Sequence, residues 1–407
     1  MNETDVLIIG GGASGLAAAV AAARLGERAT VLEKLDRPGK KLLASGNGRC
    51  NLLNRNALRY YGDSEFAYRV MGSDPVHQLE QFWEMLGLRI RWDAEGRGYP
   101  CTFQASTVLD VLKAEMIRRG VVLRCGERAA ELIPQSRGFL VRSDTGHCYA
   151  GKRLILACGG MTQPKLGGGN DAWEWLRALG HTMIPAFPAL TPLITDARSI
   201  SGLAGIRARC SVSVETEGKE IHREKGEILF TDRGISGICA MQCARFSNPG
   251  KSLLRLDLTD GLFLNDHNLT EDLMRLRMIC ADEPPTALLK GFCVPKLAFA
   301  VCKQSGLSLR GETCNSLTEK QVHAIVKALR SYTLAVLGRS GYDSAQVTAG
   351  GANCEEFDPV RMASRICPGL HVTGELLNVD GDCGGYNLMF AFMSGLRAGL
   401  NGRDAIC

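Results

Sequence analysis

The pattern of apolar residues at the start of the chain predicts a strand, a helix and a second strand. Residues 6–9 are all apolar, as in a strand that is buried on both faces of a parallel sheet. Glycines and an alanine-rich helical run follow, and a second β-forming stretch, 29–32, ends at Glu33. This alternation predicts the opening βαβ unit of a doubly wound α/β domain.

The stretch that follows predicts a mixture of helices and short strands. Helical periodicity covers about 75–86 and 106–119. A buried strand is expected at 153–157, just before two glycines. Short alternating strands, which would form a small meander before it, are expected at 121–123, 129–133, 138–141 and 148–150.

The middle third of the chain has a different pattern, which predicts an insertion. Short strands of alternating polarity begin near Pro192, and helical periodicity replaces them between Asn268 and Arg330. Strands followed by glycines resume near 347–351 and 370–375. A domain of parallel strands is therefore expected to be interrupted by an antiparallel β domain that carries helices.

Composition and charge are those of a globular protein with two cores. The 407 residues are 45% hydrophobic and 22% charged. The net charge of +5 is small and no run of Lys and Arg could follow a phosphate backbone, so we expect no nucleic-acid partner. Acidic Glu3 and Asp5 argue against a signal peptide, and the longest apolar stretch contains the glycine turn. We expect a cytoplasmic protein with no membrane partner, and no protein partner is indicated.

The sixteen cysteines are expected to be reduced thiols, because the cytosol keeps thiols reduced. None forms a C-x-x-C pair, and the closest pair, Cys239 and Cys243, would share one face of a helix. No histidine or further cysteine lies at ligand spacing from this pair, so we expect it to pack in a core and predict no metal site.

The first glycines have the spacing of a dinucleotide site. Gly10 allows a tight turn, Gly12 lets the backbone approach a pyrophosphate, and Gly15 lets the helix pack closely on the strand. The start of the helix would hold the phosphates. Glu33 lies where a carboxylate accepts hydrogen bonds from a ribose and repels a 2′-phosphate, so the dinucleotide is FAD or NAD. The alternative is a doubly wound domain with a degenerate nucleotide site.

A glycine-rich basic segment follows this acid and is unlike a regular helix or strand. Gly46 and Gly48 would let backbone amides approach a planar flavin ring. Asn47 or Asn51 would hydrogen-bond ring atoms, and Arg49 would neutralise charge on a reduced flavin or on the diphosphate. The segment is therefore predicted to be a flavin-binding loop, and the alternative is a solvated basic loop.

Cys50 lies in the same loop, where a redox role is one interpretation. Flavin disulfide reductases relay electrons through two neighbouring cysteines, but this loop contains one. A single thiol would still contact or tune the flavin, and structural packing is at least as consistent with the sequence. Arg49, Asn51 and Cys50 are the candidate catalytic residues.

A second strand, turn and helix start occur near the carboxyl terminus. Glu375 would accept hydrogen bonds from ribityl hydroxyls. The backbone amides of Gly385, Tyr386 and Asn387, at a predicted helix start, would stabilise negative charge on the edge of a reduced flavin. The alternative is a plain strand-to-helix connection.

Four motifs resemble those of the BaiN-like (YhiN-type) FAD-dependent oxidoreductases. They are the 10–15 glycines with Glu33, the 39–51 segment ending in Ser-Gly-Asn-Gly-Arg-Cys-Asn, the 226–237 segment, and 374–375 with 384–388. The resemblance spans the whole chain. It implies a doubly wound, Rossmann-like FAD-binding domain interrupted by an inserted β-barrel-like domain with a helical subdomain. The chain departs from the family at Cys158, where threonine is usual, and we expect little consequence.

On this fold we expect one FAD-binding domain from residues 1–190 and 341–407. The inserted β-rich domain would span 191–340, with its helical subdomain at about 265–330. The motifs and the resemblance together predict these cofactor-binding residues: Gly10, Gly12, Ala13, Ser14, Gly15, Glu33, Lys34, Lys41, Gly46, Asn47, Gly48, Arg49, Ala130, Ala157, Gly159, Gly374, Glu375, Gly385, Tyr386 and Asn387.

The resemblance also implies an activity. The best described relatives are NAD(P)H-dependent flavin reductases of conjugated double bonds in 3-oxo bile acids. A 3-oxo bile acid or a steroid-like enone is therefore the first candidate for the small-molecule substrate, with FAD as cofactor and NAD(P)H as a transient co-substrate. The abundance of cysteine suits an anaerobic host and favours a reductase. The alternatives are an amine or aminoacetone oxidase and a flavoprotein redox sensor without turnover.

Overall fold

The computed structural model describes residues 2–260, 262 and 265–403. The chain divides into two compact units. The first comprises the residues up to Phe187 and those from Gln346 on, and the second is Pro188–Ala345.

The elements of both units follow one another in this order. The strands are β1 (Asn2–Ile9), β2 (Ala29–Glu33), β3 (Leu53–Asn54), β4 (Tyr60–Gly62), β5 (Ile90–Trp92), β6 (Arg97–Pro100), β7 (Val122–Cys125), β8 (Ala129–Gln135), β9 (Gly138–Ser143), β10 (Cys148–Leu156), β11 (Met183–Ala189), β12 (Leu193–Thr195), β13 (Arg207–Thr216), β14 (Lys219–Phe230), β15 (Gly234–Ser236), β16 (Ser252–Asp257), β17 (Tyr332–Arg339), β18 (Val347–Ala352), β19 (Leu370–Val372) and β20 (Val379–Gly381). The helices are α1 (Ala13–Arg24), α2 (Lys40–Ala44), α3 (Ser64–Met71), α4 (Pro75–Met85), α5 (Ala105–Arg118), α6 (Asp171–Ala178), α7 (Ala197–Ile200), α8 (Ile238–Cys243), α9 (Asp266–Ile279), α10 (Pro295–Gln304), α11 (Glu319–Arg330) and α12 (Tyr386–Leu400).

The first unit is built on a seven-stranded sheet. Its strand order is β7-β2-β1-β10-β9-β8, and β19 pairs with β10. The strands β7, β2, β1, β10 and β19 pair in parallel, whereas β8, β9 and β10 form an antiparallel meander. The apolar residues Val6–Ile9 of β1 are buried, as a central parallel strand requires. The doubly wound α/β fold expected from the sequence is confirmed.

Helices α1 and α12 pack closely together in this unit. A Cβ on Gly395 would lie 2.2 Å from the Ser14 carbonyl oxygen, and one on Gly399 would lie 2.5 Å from that of Ala18. The alanines of α1 from Ala17 to Ala23 are buried. Small residues on both helices therefore allow the close backbone approach, and the alanine-rich pattern of α1 reflects it.

Strand β10 is longer than the sequence predicted. The sequence predicted separate strands at 148–150 and 153–157, but Cys148–Leu156 is continuous. Its first half pairs with β9, and its second half pairs with β19. Gly151 is not a turn residue, because a Cβ there would lie 2.6 Å from the Leu7 Cβ. Glycine at this position allows the close approach of a neighbouring strand.

The second unit contains a closed six-stranded barrel with helices. The barrel order is β12-β15-β14-β13-β16-β17. Helices α9, α10 and α11 pack together, and their apolar residues share a core with the barrel strands. The barrel-like insertion with a helical subdomain, implied by the resemblance, is confirmed.

Cys239 and Cys243 lie on α8 and are buried in the barrel core, and no group of three or more potential metal ligands is found in 2–260, 262 and 265–403. Within the same ranges, no helix has both the length and the apolar composition needed to cross a bilayer.

Candidate functional site

The glycines of the turn after β1 differ in their surroundings: Gly10 and Gly15 lie against neighbouring backbone, whereas Gly12 faces open space. Gly10 has a φ of +110°, and a Cβ there would lie 2.3 Å from the Ala157 carbonyl oxygen. A Cβ on Gly15 would lie 1.9 Å from the Gly10 carbonyl oxygen, so Gly15 holds α1 close to the turn. In the part of the chain that the structure describes, a Cβ on Gly12 would meet no atom within 4 Å. Gly12 therefore exposes its backbone to open space at the start of α1.

Glu33 ends β2 and fixes the glycine turn. Its Oε2 accepts the N–H of Gly11 at 2.8 Å, and its Oε1 accepts the N–H of Leu35 at 2.8 Å. The residue is 8% exposed. A carboxylate oxygen has more than one lone pair, so Glu33 keeps acceptor capacity for a ribose while it orders the turn.

Glu375 is held in a half-buried polar cluster. Its Oε2 accepts from Lys41 Nζ at 2.9 Å, and its Oε1 accepts the N–H of Thr348 at 2.7 Å and the Thr162 hydroxyl at 3.2 Å. Burial raises the pKa of the Glu375 carboxyl, but the charge of Lys41 and these hydrogen bonds outweigh burial and hold the pKa below its ordinary value. Glu375 is therefore an ionised tether that joins α2 to the carboxyl-terminal segment.

The basic loop is more regular than its sequence predicted, because it begins with the short helix α2 and a turn of 3₁₀ helix at Ser45–Gly48. Gly46 and Asn47 both have left-handed backbone conformations. Arg49 and Asn47 are exposed, and Asn51 is half-buried. The loop thus presents backbone and polar groups at the surface of the first unit.

Cys50 belongs to the loop, but its side chain is buried beneath it. The residue is fully buried with a φ of 58°, and burial raises the pKa of its thiol to about 12. Such a thiol stays protonated near neutral pH. The structure therefore places Cys50 in the core and Arg49 next to it in solvent.

The start of α12 lies directly against this loop. Gly385 has a φ of +110°, and a Cβ there would lie 2.6 Å from the Leu53 carbonyl oxygen. The first amides of α12, from Tyr386 on, precede the helical hydrogen bonds, the first of which runs from the Met389 N–H to the Gly385 oxygen at 2.9 Å. The Asn387 side chain holds the preceding turn through both the N–H and the oxygen of Gly381.

The other predicted residues surround the same strand ends, with one exception. The Gly39 N–H donates to the Gly11 oxygen at 2.8 Å, so the second motif begins where the first ends. Ser14 Oγ lies 3.0 Å from the Cβ position of Gly374, and Ala157 lies against the glycine turn. Ala13 begins α1, Gly159 follows β10, and Lys34 Nζ lies 3.9 Å from Asp171 Oδ2. Ala130 lies on the edge strand β8, exposed, at a β-bulge.

Sequence reasoning missed three residues that organise this region. Thr162 and Thr348 bind Glu375, and the Asn54 side chain donates to the Gly384 oxygen at 2.8 Å. Thr162 follows the glycines at 159–160 and Thr348 precedes those at 350–351, so the glycine pairs were the available signal.

FAD fits these residues. A Cβ on Gly12, Gly48 or Gly159 would meet no atom of the described residues within 4 Å, so the backbone is open at three of the predicted positions. The starts of α1 and α12 supply amides that favour negative charge. Gly12 and Gly159 follow the carboxyl ends of the parallel strands β1 and β10, where doubly wound domains bind dinucleotides.

Comparison with known proteins gives the family. The family model described as HI0933-like protein Rossmann domain matches residues 4–401. The chain is 35% identical to a 3-dehydro-bile acid delta(4,6)-reductase of Clostridium scindens, over 96% of this chain and 97% of that protein.

Two other relatives carry a different name, ribosomal RNA dihydrouridine synthase. The Escherichia coli protein is 26% identical over 97% of this chain and 96% of its own length. The Haemophilus influenzae protein is 27% identical over 98% of each chain. The chain therefore belongs to the HI0933-like Rossmann-domain family, as the resemblance of its motifs implied, and it is an FAD-dependent oxidoreductase.

Proposed function

We propose that this oxidoreductase uses NAD(P)H to reduce a carbon–carbon double bond that is conjugated to a carbonyl in a small organic molecule. A 3-oxo bile acid or a steroid-like enone is the first candidate. The observation that carries the proposal is the 35% identity to the bile-acid reductase across 96% of the chain.

The chain's own residues would bind the cofactor and stabilise charge. Gly12 and the start of α1 would hold the diphosphate, and Glu33 would hold the adenosine ribose. FAD would supply a ring that takes up a hydride from one molecule and gives it to another. The amides at the start of α12 and the exposed Arg49 would stabilise the negative charge that accompanies reduction.

The proposed reaction balances without a thiol. NAD(P)H loses a hydride and becomes NAD(P)⁺, the β-carbon of the enone gains a hydride, and the α-carbon gains a proton. The product is the saturated ketone. A thiol relay is not part of the scheme, because Cys50 is fully buried and burial raises its pKa to about 12.

We place the reaction in the cytoplasm, where reduced nicotinamides are available. The cysteines in the described residues are all free thiols, which is consistent with a reducing compartment. An oxidase that passes electrons to dioxygen is the alternative within the same fold.

A second candidate activity is the formation of dihydrouridine in ribosomal RNA. Two relatives with this name match nearly the whole chain, at 26% and 27% identity. Uridine also contains a double bond conjugated to a carbonyl, so the chemistry would be shared. The lower identity and the small net charge of +5 favour the small-molecule substrate.

The test is product analysis under anaerobic conditions. The purified FAD-loaded protein is incubated with NADH or NADPH and either a 3-oxo-4-ene bile acid, a uridine-containing ribosomal RNA fragment, or dioxygen in a separate aerobic arm. We expect the bile acid to gain two hydrogens at the expense of the nicotinamide. Reduction of the RNA alone, or peroxide release with no enone reduction, would contradict the proposal.

A further inference from the structure

A small sheet next to the start of α12 has one buried face, and its other face is open at the outer end. It consists of β3, β6 and β5 in that order. Leu53, Gly98 and Pro100 face inward and are buried. On the other face the buried Asn54 lies opposite the half-buried Arg97, and the half-buried Tyr99 lies opposite the exposed Arg91, because directly paired residues lie on the same face. We call these four residues and the adjoining Phe103 the arginine–tyrosine face.

Aromatic rings and a guanidinium form the outer part of this face. The Tyr99 and Phe103 ring centroids are 5.5 Å apart, and the Arg91 guanidinium lies 5.8 Å from the Phe103 ring centre. Phe103 has a φ of +52° and is 36% exposed. A bulky residue rarely adopts this conformation, and such backbone strain concentrates at binding sites.

The two arginines of the face differ in their partners. Arg97 is ion-paired with Glu95 and lies 4.0 Å from Asp93. Arg91 is exposed, and within the described ranges of the chain it has no carboxylate within 4.0 Å. Arg91 is therefore a cation held over an aromatic ring with its donors available to an anion.

The inner end of the face reaches the candidate site. Asn54 Nδ2 donates to the Gly384 oxygen at 2.8 Å, and a Cβ on Gly384 would lie 3.5 Å from Arg97 Nε. Gly384 is followed by Gly385 and the start of α12. From Arg97 the face extends about 7 Å along β6 and about 5 Å across to β5. A fused-ring molecule could thus lie on Tyr99 and Phe103 with one end at the site.

We propose that the arginine–tyrosine face recognises a substrate with a rigid hydrocarbon body and a carboxylate, with the body on Tyr99 and Phe103 and the carboxylate at Arg91. This inference rests on the proposed enone reduction and names the residues that would select a carboxylate-bearing enone over an uncharged one. The available charge of Arg91 is what identifies the occupant as an anion.

A matched pair of ligands tests the role of charge. Binding of a saturated 3-oxo bile acid and of its uncharged methyl ester to the FAD-loaded protein is measured by calorimetry, for the wild type and for Arg91→Ala, Arg91→Lys and Arg89→Ala. Arg89 is an exposed neighbour paired with Glu84, so its variant is the control. Steady-state reduction of the corresponding enone acid and enone ester is measured in parallel.

If Arg91 binds the carboxylate, replacing it should weaken binding of the acid and not of the ester. Arg91→Ala should weaken binding of the acid about tenfold, the size expected for one lost charged hydrogen bond, while binding of the ester changes little. Arg91→Lys should restore part of the loss, and Arg89→Ala should bind both ligands as the wild type does. The KM for the enone acid should rise with kcat nearly unchanged.

Other outcomes separate the two levels of the proposal. If acid binding depends on Arg91 but no enone is reduced, the binding role of the arginine–tyrosine face stands and the proposed reductase activity is wrong. If acid and ester are reduced equally by all variants, the reductase activity stands and the binding role of the face is wrong. Failure of the wild type to bind the acid, or a loss in Arg91→Ala of binding to a uridine-containing RNA fragment alone, would also overturn the face.

Discussion

At the scale of single residues, neighbouring glycines have different physical roles. Gly15 is required by the protein itself, since any side chain there would collide with the Gly10 carbonyl oxygen. Gly12 has a φ of −84°, which other residues adopt freely, and none of the described residues opposes a Cβ there. The fold itself therefore does not require glycine at position 12, and we propose that a bound pyrophosphate does.

The variant Gly12→Val should fold and lose FAD, because its side chain would occupy the space of the pyrophosphate. Gly15→Ala is the matched control and should lower the free energy of unfolding by about 1–3 kcal/mol through overpacking. FAD content after gel filtration and the thermal unfolding of both variants check this. A soluble Gly12→Val protein that keeps full FAD would show that the dinucleotide site is misassigned.

The loop residues Arg49 and Cys50 make a second prediction at this scale. Cys50→Ser should keep most of the rate of flavin reduction by NAD(P)H, although placing a hydroxyl in the core should cost about 1–3 kcal/mol of stability. Arg49→Ala should slow reduction or lower the flavin potential, by up to about tenfold in rate.

Anaerobic rapid mixing and a redox titration measure both effects, with the exposed Cys101→Ser as control. If Cys50→Ser abolished reoxidation by every acceptor while Arg49→Ala had no effect, a thiol mechanism would replace direct hydride transfer.

At the scale of elements, local patterns predicted much and long-range contacts little. Helices α4 and α5 lie within one residue of the predicted bounds, since their periodicity and flanking residues are local signals. The continuity of β10 was hidden by Gly151, whose role depends on β1. The Lys41–Glu375 pair joins residues 334 positions apart, so no local signal could reveal that Glu375 is tethered.

This tether predicts a pH-dependent stability. Because the folded pKa of Glu375 lies below its ordinary value of 4.5, the pair stabilises fully above that pH, and its contribution is lost as the pH falls through the folded pKa. Lys41→Met should therefore cost about 2 kcal/mol near neutral pH, and the difference from the wild type should shrink in acid.

Urea unfolding at several pH values measures the difference. Lys40→Met is the control, because Lys40 pairs with Asp36, which is 75% exposed, and such pairs contribute little. A cost for Lys41→Met that is the same at acidic and neutral pH would contradict the ionised tether.

At the scale of the whole molecule, the sequence predicted the fold class and the meeting of its motifs at one site better than it predicted the substrate. The glycine motifs, Glu33 and the carboxyl-terminal turn meet at one set of strand ends because a parallel sheet brings them there. Closure of the inserted strands into a barrel depends on pairings such as β12 with β17, which strand patterns do not contain. The substrate could not be predicted from these patterns either, because enzymes with different substrates share this fold and cofactor site.

If electrons pass from a nicotinamide through bound FAD to a conjugated enone, rapid anaerobic double mixing should resolve both transfers. The FAD-loaded protein is first mixed with NADH or NADPH and then with a 3-oxo-4-ene bile acid, while flavin absorbance is followed. We expect rapid bleaching of the flavin by at least one nicotinamide and rapid recovery of its absorbance on adding the enone. Slow bleaching by both nicotinamides, or recovery with dioxygen but not with the enone, would contradict this path of electrons.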